Sequence, residues 1–228
     1  MSQESTRERI VRAAYGLLTD GGREAVSTRA VCAASGVQSP TLYRLFGDKR
    51  GLLDAVAEHG FESYLSDKTA LVETGDPVED LRRGWELHIG FGVAHPAIYS
   101  LIYGEPRPGA ESPAARRASA ILARQVGRIA EAGRLRVPEE RAVHLIHSAG
   151  CGMTFTLISL PEERRDPALP VMARESVIAA VTADAPGVAD TGPAGLAVAL
   201  AARAPRLAAL TEVERALLVE WLRRIAES

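Results

Sequence analysis

The chain has 228 residues, enough for one large domain or for a small domain joined to a larger one. Apolar residues make up 46%, aromatics 5% and charged residues 25%; alanine and leucine crowd out the alternating Val/Thr/Tyr pattern of strands, so an all-α fold is expected. A formal net charge of −2 excludes a polycation, and any nucleic-acid footprint must therefore be local.

The first helical pattern, STRERIVRAAYGLLTDGG, puts Ile10, Val11, Ala14, Leu17 and Leu18 on one face. Ser5 or Thr6 can cap its start, and Gly21 and Gly22 stop it. In VSTRAVCAASG, Ser27 is the expected N-cap, Ala30, Val31 and Ala34 form the buried stripe, and Gly36 supplies the left-handed residue that ends the helix. The next stretch, GVQSPTLYRLFGDK, is expected to be capped by Ser39, to hold Pro40 in its first turn and to end at Gly47. Asp48 should then cap a longer helix running toward residue 70.

TGDP at 74–77 is the best internal break. Beyond it, helices are expected over roughly 77–94, 96–104, 113–133, 138–160 and 169–184, separated by HP, GEPRPG, GRLRVP and LPEERRDP. DAPGVADTGP precedes a last helical stretch from about 194 to 227. No secretory signal opens the chain, and AGLAVALAARAPRLAAL is interrupted by Arg203, Pro205 and Arg206, so a cytoplasmic protein with no membrane span is expected. Cys32 and Cys151 lie inside helical patterns without metal-type spacing, which suits a reducing compartment.

A helix of about seven residues is marginal in water, so the one between Gly36 and Gly47 must be held by its neighbours. Leu42, Leu45 and Phe46 form its inner face, leaving Gln38, Ser39, Thr41, Tyr43 and Arg44 directed outward or sideways. Two short helices joined by a glycine turn, the second presenting hydrogen-bonding side chains near its N-terminus, have the layout of a helix-turn-helix; a plain helical hairpin has the same pattern. Between Ala25 and Gly47 the only charged residues are Arg29 and Arg44, which skews the field toward cations there.

The segment STRAVCAASGVQSPTLYRLFGDKRGLLDAV resembles the DNA-binding domain of the TetR family of transcriptional regulators. The resemblance covers about the first fifty-five residues and rests on Ser27 and Thr28, the Gly36-Val37 turn, the Thr41-Leu42-Tyr43 core with Phe46, and Lys49 ahead of Leu52 and Leu53. It implies a three-helix helix-turn-helix domain over 1–55 and a C-terminal helical domain over 56–228 for ligand binding and dimerisation. It further implies that Thr28 and Arg29 reach phosphate or a base edge, that Gln38, Ser39, Pro40 and Thr41 face the major groove, and that Tyr43 and Lys49 contact phosphate. The chemistry agrees, since Gln and Arg discriminate adenine and guanine while Pro40 and the Thr41 methyl suit a thymine methyl. Leu45 stands where many relatives carry a polar or aromatic residue, often His or Tyr, so Arg44 is expected to take up the contact instead.

Downstream, only helical pattern remains. Leu145, Ser148, Ala149, Gly152 and Thr156 give a small-residue face suited to close helix packing, either in a homodimer with the helix near 171–183 or within one subunit. Another stripe holds Glu140, His144, His147, Cys151 and Phe155, whose first four members are potential metal ligands or else core or interface residues. A lipophilic or aromatic effector would find walls in Trp85, His88, Phe91, Tyr99 and Tyr103, completed by His147, Cys151, Met153 and Phe155; taken singly each of these suits a core better than a ligand contact, and only the group carries the expectation. No catalytic residue, metal or cofactor is assigned. The expected function is a ligand-released repressor that binds a palindromic operator as a homodimer; the alternatives are a metal-dependent helical enzyme centred on Glu140, His144 and His147, or a DNA-binding dimer with no effector.

Overall fold

A computed structural model describes residues 5–70, 73–105, 111–183 and 192–227. They form eleven α-helices: α1 (Thr6–Ala25), α2 (Thr28–Ser35), α3 (Ser39–Phe46), α4 (Lys49–Ala70), α5 (Pro77–Ala94), α6 (Pro96–Tyr103), α7 (Pro113–Glu131), α8 (Glu139–Ser159), α9 (Ala168–Val181), α10 (Gly192–Arg203) and α11 (Glu212–Glu227). Short 3-10 turns cover Glu162–Arg164 and Ala204–Arg206. Among the described residues no strand forms, and an isolated antiparallel bridge joins Leu135 to Thr182. No described helix is long and apolar enough to cross a membrane. Of the expected breaks, 106–109 and 184–191 lie outside the described residues.

Two compact units divide the chain, Met1–Ala70 with Gly90–Ala118, and Leu71–Ile89 with Ser119–Ser228. In the first, α1 starts at a capping box: the Glu8 N–H donates to Ser5 Oγ and the Ser5 N–H to Glu8 Oε2. Its regular part ends at Gly22, whose φ of 68° and ψ of −171° leave helical space, and one more turn reaches Ala25. Ile10, Ala14, Val26, Val31, Leu42, Val56 and Phe61 are fully buried. Helices α1, α4 and α6 converge at Gly60, where a Cβ would stand 2.8 Å from both Ile98 Cδ1 and the Tyr15 ring. Around Phe61 an aromatic cluster assembles, with ring centroids 4.5 Å from Tyr64 and 5.1 Å from Phe91.

In the second unit an ionic network fixes the start of α5. Asp80, buried to 6% exposure, accepts from Arg128 Nη1 at 2.6 Å and from the Thr74 N–H at 2.9 Å. Asp76 Oδ1 accepts from Arg134 Nη1 at 2.6 Å and caps α5 through the Val78 N–H at 2.8 Å. Burial pushes the Asp80 carboxyl up, but the Thr74 backbone donor and the Arg128 guanidinium outweigh it and hold the group below its ordinary range; Asp76 is lowered in the same way. Arg82 clamps Glu175 of α9 from α5 at 3.0 Å.

The last helical stretch, expected as one element from about 194 to 227, is two helices. Pro205 stops the first, and a capping box restarts the second, with the Thr211 N–H donating to Glu214 Oε2 at 2.8 Å and the Glu214 N–H to Thr211 Oγ1 at 3.4 Å.

Candidate nucleic-acid interface

Helix α2 is capped by Ser27, whose Oγ accepts from the Ala30 N–H at 3.1 Å. Thr28 is therefore not the cap, and its side chain stands half-buried at the first helical position. The helix ends at Gly36, left-handed at φ 68° and ψ 30°, a conformation only glycine adopts at little cost. Arg9 of α1 reaches across to the carbonyl of Ser35 at 3.1 Å, while the Ser35 hydroxyl donates to the Val31 carbonyl at 2.6 Å. The last turn of α2 is thereby fixed from two sides.

The expected capping of α3 by Ser39 is not what forms. Gln38 is the N-cap, its carbonyl accepting from the N–H groups of Thr41 at 3.0 Å and Leu42 at 3.4 Å, and no side chain caps the helix. Ser39 and Pro40 occupy the first two helical positions, and Ser39 Oγ lies 3.8 Å from Cys32 Sγ across the turn. Pro40 favours this start because its fixed φ is helical and it lacks an N–H that would need a partner.

Leu42 has no exposed surface, and Leu45 and Phe46 are half-buried. The guanidinium of Arg7 lies over the Phe46 ring, 5.2 Å from its centroid. On this mount Arg29, Gln38, Ser39, Pro40, Tyr43, Arg44 and Lys49 are all exposed and Thr41 is half-buried. Asp48 is engaged in capping α4, accepting from the Gly51 N–H at 2.8 Å. The surface is cationic and polar, with Arg50 exposed beside Lys49. Sequence reasoning overlooked Arg7, Arg9 and Arg50; the first two act by contacts with α3 and α2 that helical spacing does not encode.

The nine effector candidates divide. Phe91, Tyr99 and Tyr103 belong to the first unit, where Tyr99 is fully buried and its ring lies 4.8 Å from that of Tyr103. Trp85 and His88 belong to the second, where both face Gly150 of α8: a Cβ there would meet His88 Cδ2 at 3.5 Å and the Trp85 ring at 3.6 Å. His147, Cys151, Met153 and Phe155 are half-buried along α8. Trp85 Nε1 and, on the neighbouring α7, Gln125 Oε1 are buried polar atoms with no hydrogen-bond partner among the described residues.

Cys151 Sγ lies 3.6 Å from His147 Nε2, but Glu140 and His144 are exposed. Among the described residues no three His, Cys, Asp or Glu side chains converge as a metal ion would require. Leu145, Ser148, Gly152 and Thr156 are exposed on α8, with Val171 and Met172 exposed on α9.

Residues 10–56 match the model of the bacterial regulatory proteins of the tetR family. The tetracycline repressor protein class C of Escherichia coli is 50% identical over 52 residues, which are 23% of this chain and 24% of that protein. The match thus spans about a quarter of the length of the curated relatives. In fold, the chain resembles a TetR-family transcriptional regulator from Haemophilus influenzae RD, with a TM-score of 0.57 and 19% identity over 78% of this chain and 97% of that one. A TetR variant from Acinetobacter baumannii AYE, solved in complex with minocycline, gives a TM-score of 0.58 and 20% identity over 75% of this chain and 93% of that one. At these identities the structural likeness speaks for the fold, and the sequence match speaks for the domain built around α3. Together with the exposed polar row on the buried Leu42 mount, they place residues 10–56 with the DNA-binding domain of the tetR family of bacterial regulatory proteins.

Proposed function

We propose that the chain is a cytoplasmic, ligand-responsive repressor without catalytic activity, which binds a palindromic operator as a homodimer and leaves it when a small molecule binds. Residues 1–55 act on DNA in this reading, and 56–228 bind effector and partner. Gln38, Ser39, Pro40 and Thr41 enter the major groove, while Thr28, Arg29, Tyr43, Arg44 and Lys49 hold phosphate or an adjacent base edge. Two copies of α3 would lie about 34–36 Å apart, one turn of the duplex. The observation that carries the reading is the arrangement of α3 itself, a helix too short to stand alone, clamped through Leu42 and polar on its exposed side.

The homodimer reading draws support from the exposed small-residue face of α8 beside Val171 and Met172. The effector reading draws support from Trp85 Nε1 and Gln125 Oε1, since a buried donor or acceptor left without a partner costs about 1–3 kcal/mol that a ligand would recover. A neighbour of the same fold, the TetR variant from Acinetobacter baumannii AYE, was solved in complex with minocycline, which is consistent with this reading. Selection of duplexes from a random pool tests the first half: a palindrome should be enriched, and failure to enrich any motif would defeat it. A thermal-shift screen of lipophilic and aromatic compounds tests the second: hits should release the selected duplex and lose about tenfold in affinity for Trp85→Phe. A screen without stabilising compounds would favour the effector-free dimer.

A further inference from the structure

The C-terminal hairpin carries exposed apolar side chains. Arg203 and Arg206 pin it to the end of α7, donating to the Glu131 carbonyl at 2.9 Å and to Glu131 Oε2 at 2.9 Å. Arg215 ties α11 to the preceding turn through the carbonyls of Leu207 at 3.1 Å and Leu210 at 2.8 Å. Leu222 is the buried side chain of α11. On the opposite side Val213, Leu217, Trp221 and Ile225 are exposed at a constant spacing of four, Val213 to 77% and Trp221 to 53%. Contiguous apolar surface of this kind marks an interaction site more often than a solvated face.

The stripe reads the same in both directions about Val219: 213 mirrors 225, and 217 mirrors 221. Its two embedded charges obey the same mirror, because Glu214 and Arg224 are also equidistant from Val219; within the chain Glu214 caps α11 through Oε2 and Arg224 holds Glu220 through Nε at 2.9 Å, so each would meet its counterpart through its other polar atoms. In projection, with Val213 at 0°, Arg224 falls at about 20°, Leu217 at about 40°, Trp221 at about 80°, Glu214 at about 100° and Ile225 at about 120°, so both charges lie within the apolar arc. We infer that α11 pairs antiparallel with α11 of a second copy, about a twofold axis at Val219. Val213 then covers Ile225 of the other copy, Leu217 covers Trp221, and Glu214 meets Arg224, each contact occurring twice as a twofold interface demands. A parallel pairing would set Glu214 against Glu214. A lipid surface fits poorly, because α11 carries Glu212, Glu214, Glu220 and Glu227 against Arg215, Arg223 and Arg224 and lacks the basic excess that anionic lipids recruit. The charge pattern is self-complementary, which selects a second copy as the occupant.

The test uses the full chain in sedimentation velocity across a wide concentration range. The unaltered protein should show a doubling of mass with concentration, and Trp221→Lys should raise the dissociation constant of that step by about tenfold or more. Arg224→Glu should weaken it similarly, and Glu214→Arg combined with Arg224→Glu should restore it. Emission of Trp221 in the unaltered protein should shift to the blue over the same concentrations, with the buried Trp85 as a constant background. The pairing is independent of the face on α8 and α9, so Met172→Lys should leave this step in place even where it abolishes another. No doubling in the unaltered protein, an unchanged step in Trp221→Lys, or a folded charge-swapped variant that does not recover would each overturn it.

Discussion

Replacing Tyr43 by Phe removes one oxygen and separates recognition from folding. The side chain is 49% exposed, and among the described residues its hydroxyl has no partner. Loss of such a group on a surface changes stability by within about 0.5 kcal/mol, which in a protein of this size moves Tm by less than about 2 °C. If the hydroxyl donates to a phosphate, each protomer loses about 1–1.5 kcal/mol, and two protomers on one operator lose about 2–3 kcal/mol, a weakening of roughly 30- to 150-fold. Fluorescence anisotropy on the selected duplex, with differential scanning calorimetry on the same preparations, measures both. Leu42→Ala is the counterpart: it empties a fully buried site, so a cost of about 2–5 kcal/mol should appear in the melt as well as in binding. Unchanged affinity in Tyr43→Phe would remove Tyr43 from the interface. A fall in Tm comparable with that of Leu42→Ala would make the hydroxyl structural and refute the division of α3 into a buried and a reading side.

Gly36→Ala should destabilise by about 1–2 kcal/mol through backbone strain alone, because φ is 68° and an added Cβ would meet nothing within 4 Å; urea unfolding should show Gly36→Asn less affected. Lys49→Ala should reduce the slope of log affinity against log salt by about 0.9 per protomer, or about 1.8 for a dimer, with little change in sequence preference. Asp80→Asn should cost about 2–3 kcal/mol at neutral pH, measured by denaturant titration, since it leaves the partly exposed Arg128 without its nearest carboxylate. The folded pKa values of Asp76 and Asp80 are depressed, so their stabilisation is complete above the unfolded value of about 4 and is lost as pH falls through the folded values; the gap between wild type and Asp80→Asn should close below about pH 4.

Features set by a few adjacent residues were legible in the sequence. Ser27, Gly36 and Asp48 act where local chemistry puts them, because capping and left-handed turns are decided within four residues. Ser39 lies one position past the cap: the Ser-Pro pair satisfies the capping pattern, but the chain from the left-handed Gly36 enters helical geometry directly after Gln38. The split between α10 and α11 carries its own signals in the sequence, Pro205 and then Thr211 followed by Glu214, set between two apolar runs rich in alanine and leucine. The effector candidates show where pattern reading stops. Trp85 and Phe91 share one helix yet belong to different compact units, and spacing along a helix says which residues share a face, not what that face meets. The same limit hid Arg7 and Arg9, whose roles depend on residues 39 and 26 positions away in the chain.

The claim on which the account depends is that the N-terminal side chains of α3 read bases. Duplex selection repeated with Gln38→Ala measures this directly. The account predicts a motif that retains its palindromic symmetry and overall spacing but loses preference at one symmetric pair of positions, with an affinity loss of about 1–3 kcal/mol for each base contact removed. Enrichment of an unchanged motif by the variant, at unchanged affinity, would contradict it.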